Sequence, residues 1–148
     1  MEEKFLKLAL KEATKSYLQN EVPIGAVVVK DGKVIAKAHN TRNKTQNAIN
    51  HAEVLAIAKA CKKLKSWRLD TCDIYVTMEP CPMCAGAILN ARIKNLYFGA
   101  YDKTSKTNLL EQIMQDDRLN HKTFVQGGIL KEECSQILTD FFKSKRNK

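Results

Sequence analysis

The stretch VTMEPCPMCAGAILNA, residues 76–91, reads as a strand that stops at Pro80 and a helix that starts at once. Val76 and Thr77 are β-branched and favour an extended chain, whereas the Ala- and Leu-rich remainder favours helix. Pro82 falls in the first helical turn, where its missing N–H costs nothing. Cys81 and Cys84 stand three apart at that helix start, on one face, so both thiols can reach a single metal ion. Taken alone, such a Cys-x-x-Cys pair after a strand is metal-binding, redox-active or incidental.

His51-Ala52-Glu53 narrows the choice. It opens an earlier helical pattern and adds a nitrogen donor, with a carboxylate two residues on. Zinc in a catalytic site keeps three protein ligands and leaves its fourth position to solvent. His51, Cys81 and Cys84 are therefore the expected ligands of one zinc ion per chain. Glu53, outside that set, is the expected catalytic proton carrier, base and then acid. Both ligand groups lie at helix starts, where the helix dipoles favour thiolates. A closed structural zinc site would need a fourth ligand, and no further Cys or His has matching local spacing. A thioredoxin-like pair has a cis-proline downstream, and this chain has no proline after Pro82.

Outward from this centre, 148 residues with 44% hydrophobic content suffice for one domain, expected to span 1–148. The opening MEEKFLKLALKEATKSYLQNE mixes both charge signs and reads as an amphipathic helix, not a secretory signal. Apolar runs such as 83–89 fall far short of the roughly 18 residues of a membrane span. A soluble, cytoplasmic protein is expected. Five cysteines, an odd count with two close together, suit a reducing compartment with a metal site, leaving Cys61, Cys72 and Cys134 as ordinary buried thiols. Lys+Arg 25 against Asp+Glu 16 gives a net charge of +9, which favours polyanionic partners. The excess gathers at Lys59, Lys62, Lys63, Lys65 and Arg68, and at Lys143, Lys145, Arg146 and Lys148; either cluster also reads as a solvated face.

Beyond the first helix, β-rich runs at 24–29 and 34–38 flank Lys30-Asp31-Gly32-Lys33, and Asp-Gly between such runs signals a hairpin. A polar loop follows at 40–50. In the next helix Val54, Ile57, Ala58 and Cys61 recur at helical spacing and are expected to face inward. Strands are expected at 74–77, 95–99 and 123–125, with helices from 81 to about 92, at 109–114 and from about 132. The 81–92 helix is apolar nearly all round, so both its sides are expected to be covered, one of them by another subunit. This alternation after a hairpin indicates an α/β sheet layered by helices.

The His-x-Glu and Pro-Cys-x-x-Cys pairing resembles the signature of zinc nucleobase deaminases. Glu21-Val22-Pro23-Ile24-Gly25-Ala26, Ala38-His39-Asn40, Ser66-Trp67-Arg68-Leu69, Leu119-Asn120-His121-Lys122 and Asp140-Phe141-Phe142-Lys143 with Arg146 extend the match. Segment by segment they resemble the bacterial tRNA-specific adenosine deaminases of the cytidine deaminase-like superfamily. The resemblance implies a three-layer α/β/α fold with a central five-stranded mixed sheet, and a homodimer. It implies hydrolytic conversion of adenosine to inosine at the wobble position of a tRNA anticodon stem-loop. It also implies roles: Asn40 holds the target nucleoside, with Pro23 and Ala52 in the same substrate-binding set. Asn120 and His121 belong to a loop near the anticodon, and Phe142 and Arg146 to a terminal helix near the flipped loop. Two segments depart from the family pattern, Ala48-Ile49-Asn50 in place of Pro-Thr-Ala, and 102–108, which lacks the usual glycines. They leave a deaminase of a free nucleobase such as guanine or cytosine as the alternative. A noncatalytic nucleic-acid-binding protein is a further class, against which the intact Glu53 stands.

Overall fold

In the computed structural model, which describes residues 2–102 and 109–146, helix α1 (Glu2–Leu18) leads into the hairpin of β1 (Gly25–Lys30) and β2 (Lys33–His39). The hairpin turns at Asp31 and Gly32, both at positive φ (51° and 75°), the two-residue geometry that Asp-Gly favours. A short helix, α2 (Arg42–Thr45), then precedes α3 (Ala52–Leu64). Strand β3 (Cys72–Met78), α4 (Pro82–Asn90), β4 (Asn95–Ala100), α5 (Leu109–Met114), β5 (Phe124–Gln126) and α6 (Lys131–Arg146) complete the described chain.

The sheet has five strands in the order β2-β1-β3-β4-β5. β1 runs antiparallel to both β2 and β3, while β3, β4 and β5 are parallel. The mixed five-stranded sheet expected from the sequence is therefore present, each strand within two residues of its expected ends. Side chains alternate across it, as pleating requires. Val28, Ile74, Val76 and Leu96 pack with Ala52, Ala56, Ala60, Ala85, Ile88 and Met114 from α3, α4 and α5. Val27, Val29 and Tyr75 pack on the opposite face with Phe5, Leu6 and Ala9 of α1 and Leu138 of α6. This gives three layers, α/β/α. Because β1 is reversed, the ends of β2, β3 and β4 open on one edge of the sheet, and the helices α3 and α4 begin there.

Three sequence expectations need correction. The polar segment 40–50 is not all loop, because α2 lies within it. The buried stripe of α3 is Ala52, Glu53, Ala56 and Ala60; Val54, Ile57 and Cys61 are only half-buried and Ala58 is exposed. Small alanines let α3 approach the sheet closely, so the larger side chains are turned toward its flank. Cys61 is accordingly not a core thiol, whereas Cys72 and Cys134 are buried. Within the chain α4 is covered on one side: Cys84, Ala85, Ile88 and Leu89 are buried, while Gly86 and Ala87 are half-buried and Met83 is 38% exposed. The expectation about 102–108 lies outside the described residues from 103 onward.

Candidate active site

His51 and Cys81 are the N-cap residues of α3 and α4, both extended (φ −78°, ψ 150° and φ −72°, ψ 169°). Their carbonyls accept the first helical bonds, from Leu55 and Ala85. The caps therefore set both side chains at the mouth of the helix pair. Cys84, one turn into α4, is fully buried behind them.

His51 Nδ1 stands 3.8 Å from Cys81 Sγ and 3.5 Å from Cys84 Sγ. All three donor atoms lie within 4.8 Å of one another. Ligands of a tetrahedral zinc ion, with Zn–S of ~2.3 Å and Zn–N of ~2.0 Å, stand about 3.6 Å apart. The donor set fits such an ion without rearrangement. Its charge state suits it as well. A hydrogen bond from Cys84 brings the Cys81 thiol down to about 5, against the cost of burial; the first-turn amides of Cys84 and Met83 and the nearby His51 act in the same direction. Cys84 is pushed up by its bond to Cys81 and by burial, so the pair holds one proton between two sulfurs.

Glu53 is 3% exposed, and its Oε1 is buried without a hydrogen-bond partner. An orphaned buried carboxylate oxygen beside a metal-ligand cluster is an unusual expense for a folded protein, and the position suits a reacting group. Burial raises its pKa from 4.5 to about 7, with the Cys81 charge adding and His51 opposing. The carboxyl can thus hold or release a proton near neutral pH.

Asn40, buried at the end of β2, is fixed on every side. Its N–H donates to the Ile24 carbonyl, its carbonyl accepts from Ser16 Oγ at 2.8 Å, and its Oδ1 accepts the Ala52 N–H at 2.8 Å. Since Ala52 can only donate there, the Asn40 side-chain oxygen is engaged and the amide NH₂ is the end that this bond leaves over. Pro23 is buried just ahead of β1, beside the Ile24 carbonyl that holds Asn40.

Phe142 and Arg146 line a cavity of about 390 Å³ with Met78, Ala100, Tyr101 and Leu138, at the edge where β3 and β4 end. Asn120 and His121 lie elsewhere. They border a second groove with Gly86, Leu89, Asn90 and Arg92, and His121 Nε2 contacts the Ile93 carbonyl at 2.9 Å. That is the far end of α4, about 13 Å of helix from Cys81. The structure thus gathers His51, Glu53, Cys81, Cys84, Asn40 and Ala52, and does not bring Asn120 and His121 to them. Sequence reasoning gave no role to Ser16 or to Glu21, whose partners lie more than twenty residues away.

Comparison with known proteins places this geometry among relatives. The MafB19-like deaminase family matches residues 1–146. The tRNA-specific adenosine deaminase of Bacillus subtilis (strain 168) is 47% identical over 148 residues, covering 99% of this chain and 92% of that protein. A solved structure from work on A-to-I editing by tRNA:A34 deaminases at the wobble position of transfer RNA superposes with a TM-score of 0.85 at 40% identity, covering 91% of this chain and 99% of the other. A guanine deaminase from Bacillus subtilis superposes with a TM-score of 0.64 at 44% identity, over 67% of this chain and 64% of that one.

Proposed function

From the premise that this chain belongs to the tRNA-specific adenosine deaminases, we propose that it hydrolyses the adenosine at the wobble position of a tRNA anticodon to inosine, acting as a homodimer of single-domain chains. The observation that carries the reading is the unpartnered Oε1 of Glu53 buried beside the His51, Cys81 and Cys84 donor set. These three residues would hold one zinc ion per chain. When bound, zinc supplies the Lewis acidity that makes water a nucleophile near neutral pH.

The chain's own residues do the rest. As oxygen adds to C6 of the base, Glu53 accepts the water proton and delivers it to the ring nitrogen N1. The proton left on the added oxygen then passes through Glu53 to the exocyclic amine, the C6–N bond breaks as C6=O forms, and ammonia leaves. Adenosine and water give inosine and ammonia. The Asn40 NH₂ holds the nucleoside in place while the proton moves at Glu53.

A base inside an anticodon loop must be turned out of its stack, at a cost of a few kcal/mol that contacts to neighbouring nucleotides offset. The cavity bordered by Phe142 and Arg146, an exposed aromatic ring and a cation on the same sheet edge, offers such contacts. This favours RNA over the second reading, a free-base deaminase, which the partial likeness to a guanine deaminase supports. A free base has no neighbours to bind. Support for the homodimer comes from the open side of α4: Ala87, Asn90 and Arg92 border a groove of about 490 Å³ with Ile57, Cys61 and Trp67, the tryptophan 59% exposed. Among the described residues no helix is long and apolar enough to cross a membrane, in keeping with a cytoplasmic site of action where tRNA is found. The test is ammonia and inosine release from an anticodon stem-loop, run beside free guanine and free cytosine. Product from the stem-loop alone is expected; product from guanine or cytosine alone would favour the second reading.

A further inference from the structure

Glu21 is 2% exposed, and both its carboxylate oxygens are taken by backbone amides. Oε1 accepts from Asn43 N–H at 3.0 Å and Oε2 from Lys44 N–H at 2.6 Å. A buried carboxylate is costly unless its lone pairs are satisfied, and here they are satisfied by a segment that comes more than twenty residues later. Glu21 is itself anchored, its N–H donating to the Ser16 carbonyl at the end of α1. The segment it grips is the first turn of α2, inside a closed stretch: Thr41 N–H donates to the Asn50 carbonyl at 3.1 Å, so residues 41 and 50 stand together while the chain between them bulges outward. One end of this loop is Asn40 and the other is His51. Everything from Arg42 to Ile49 is exposed, with Arg42 and Lys44 as its cations and no acidic residue from 40 to 50. Glu21 therefore holds the first turn of α2, in a basic segment flanked by two site residues.

We propose that Glu21 is a positioning residue for substrate binding: its buried grip on Asn43 and Lys44 sets the 41–50 loop so that Arg42 and Lys44 meet the phosphates flanking the target nucleotide. This rests on the RNA-deaminase reading above. Charge in the loop is useful only if the loop is still, because an ordered cation loses less freedom when a phosphate arrives. Neither Glu21 nor the two cations touches the base, so the loop acts on affinity for RNA and leaves the proton transfers at Glu53 alone.

The experiment uses the full-length, zinc-loaded protein and a 17-nucleotide anticodon stem-loop as probe. Glu21→Gln keeps one acceptor and turns the other into a donor facing a donor. It is expected to retain one zinc per chain, raise KM about tenfold and leave kcat within about twofold. Arg42→Ala with Lys44→Ala should raise KM similarly, and adding Glu21→Gln to that pair should raise it no further, because all three act through one loop. Trypsin should cut after Arg42 and Lys44 several times faster in Glu21→Gln than in the parent, a reading that needs no substrate. Glu21→Asp, a milder change that keeps the charge but shortens the reach, should shift KM and cleavage in the same direction by less, and serves if Glu21→Gln does not fold. Unchanged KM, an additive triple variant, or kcat and zinc falling together would overturn the proposal. A parent protein that releases no inosine from the stem-loop would instead overturn the deaminase reading, while the cleavage comparison would still report on the grip itself.

Discussion

Glu53 owes its chemistry to what surrounds it. Burial lifts its pKa to about 7, so both the accepting and the donating forms are populated at the pH where the enzyme would work. Glu53→Gln is expected to keep zinc and fold while turnover falls by about 10²–10⁴, checked by metal analysis beside inosine release. The same shift has a stability sign. In metal-stripped protein the folded chain keeps a proton that the unfolded chain gives up above about 4.5, so this contribution is full below that pH and is lost as pH rises through about 7. Chemical denaturation of stripped protein across that window should show Glu53→Gln losing less stability than the parent. Asn40 yields to a finer change. Asn40→Asp retains an acceptor for the Ala52 N–H but replaces the NH₂ donor with a carboxylate oxygen, so kcat/KM is expected to fall at least about ten- to a hundredfold, measured by steady-state kinetics with thermal unfolding to confirm a folded variant. The juxtaposed His51, Cys81 and Cys84 donors with Glu53 were legible in the sequence because each half of the set is local, two residues or three apart. Ser16 and Glu21 were not, since a hydroxyl or carboxylate far from its partner leaves no period or spacing to read.

At the level of elements, α1 rests on β1 through a single missing side chain. A Cβ on Gly25 would stand 2.0 Å from the Ala9 carbonyl oxygen and 2.6 Å from the Ala13 nitrogen, both backbone atoms that cannot turn aside. Gly25→Ala is therefore expected to cost about 2–3 kcal/mol and lower Tm by about 5–10 °C, read by thermal unfolding. Strand positions were legible because alternation and the Asp-Gly turn are local signals, and the order of strands follows from a hairpin joined to βαβ units. The inward face of α3 was not. Its spacing pointed to Val54, Ile57 and Cys61, but proximity to the sheet selected the alanines, and alanine patterns carry little contrast in a hydrophobic reading. Ile57 and Cys61, which periodicity assigned to the core, instead border the groove beside Trp67.

For the molecule as a whole, that groove and the net charge set the remaining tests. If the open side of α4 meets a second copy, Ala87→Arg should convert a dimer to a monomer in sedimentation velocity while each chain keeps its zinc. Lys143→Ala with Arg146→Ala, at the end of α6, should weaken stem-loop binding and reduce the slope of log affinity against log salt by about one unit per lost phosphate contact. Unchanged slope would mean that this basic tail is solvated charge only. The donor set at the centre has a consequence of another kind, in time. Cys81 and Cys84 become neighbours as soon as one helical turn forms, but His51 reaches them only when α3 and α4 lie side by side on a sheet whose β1 already joins β2 and β3. The complete triad therefore exists only in a chain whose α3 and α4 have docked together on the sheet, and partly folded chains lack the third anchor.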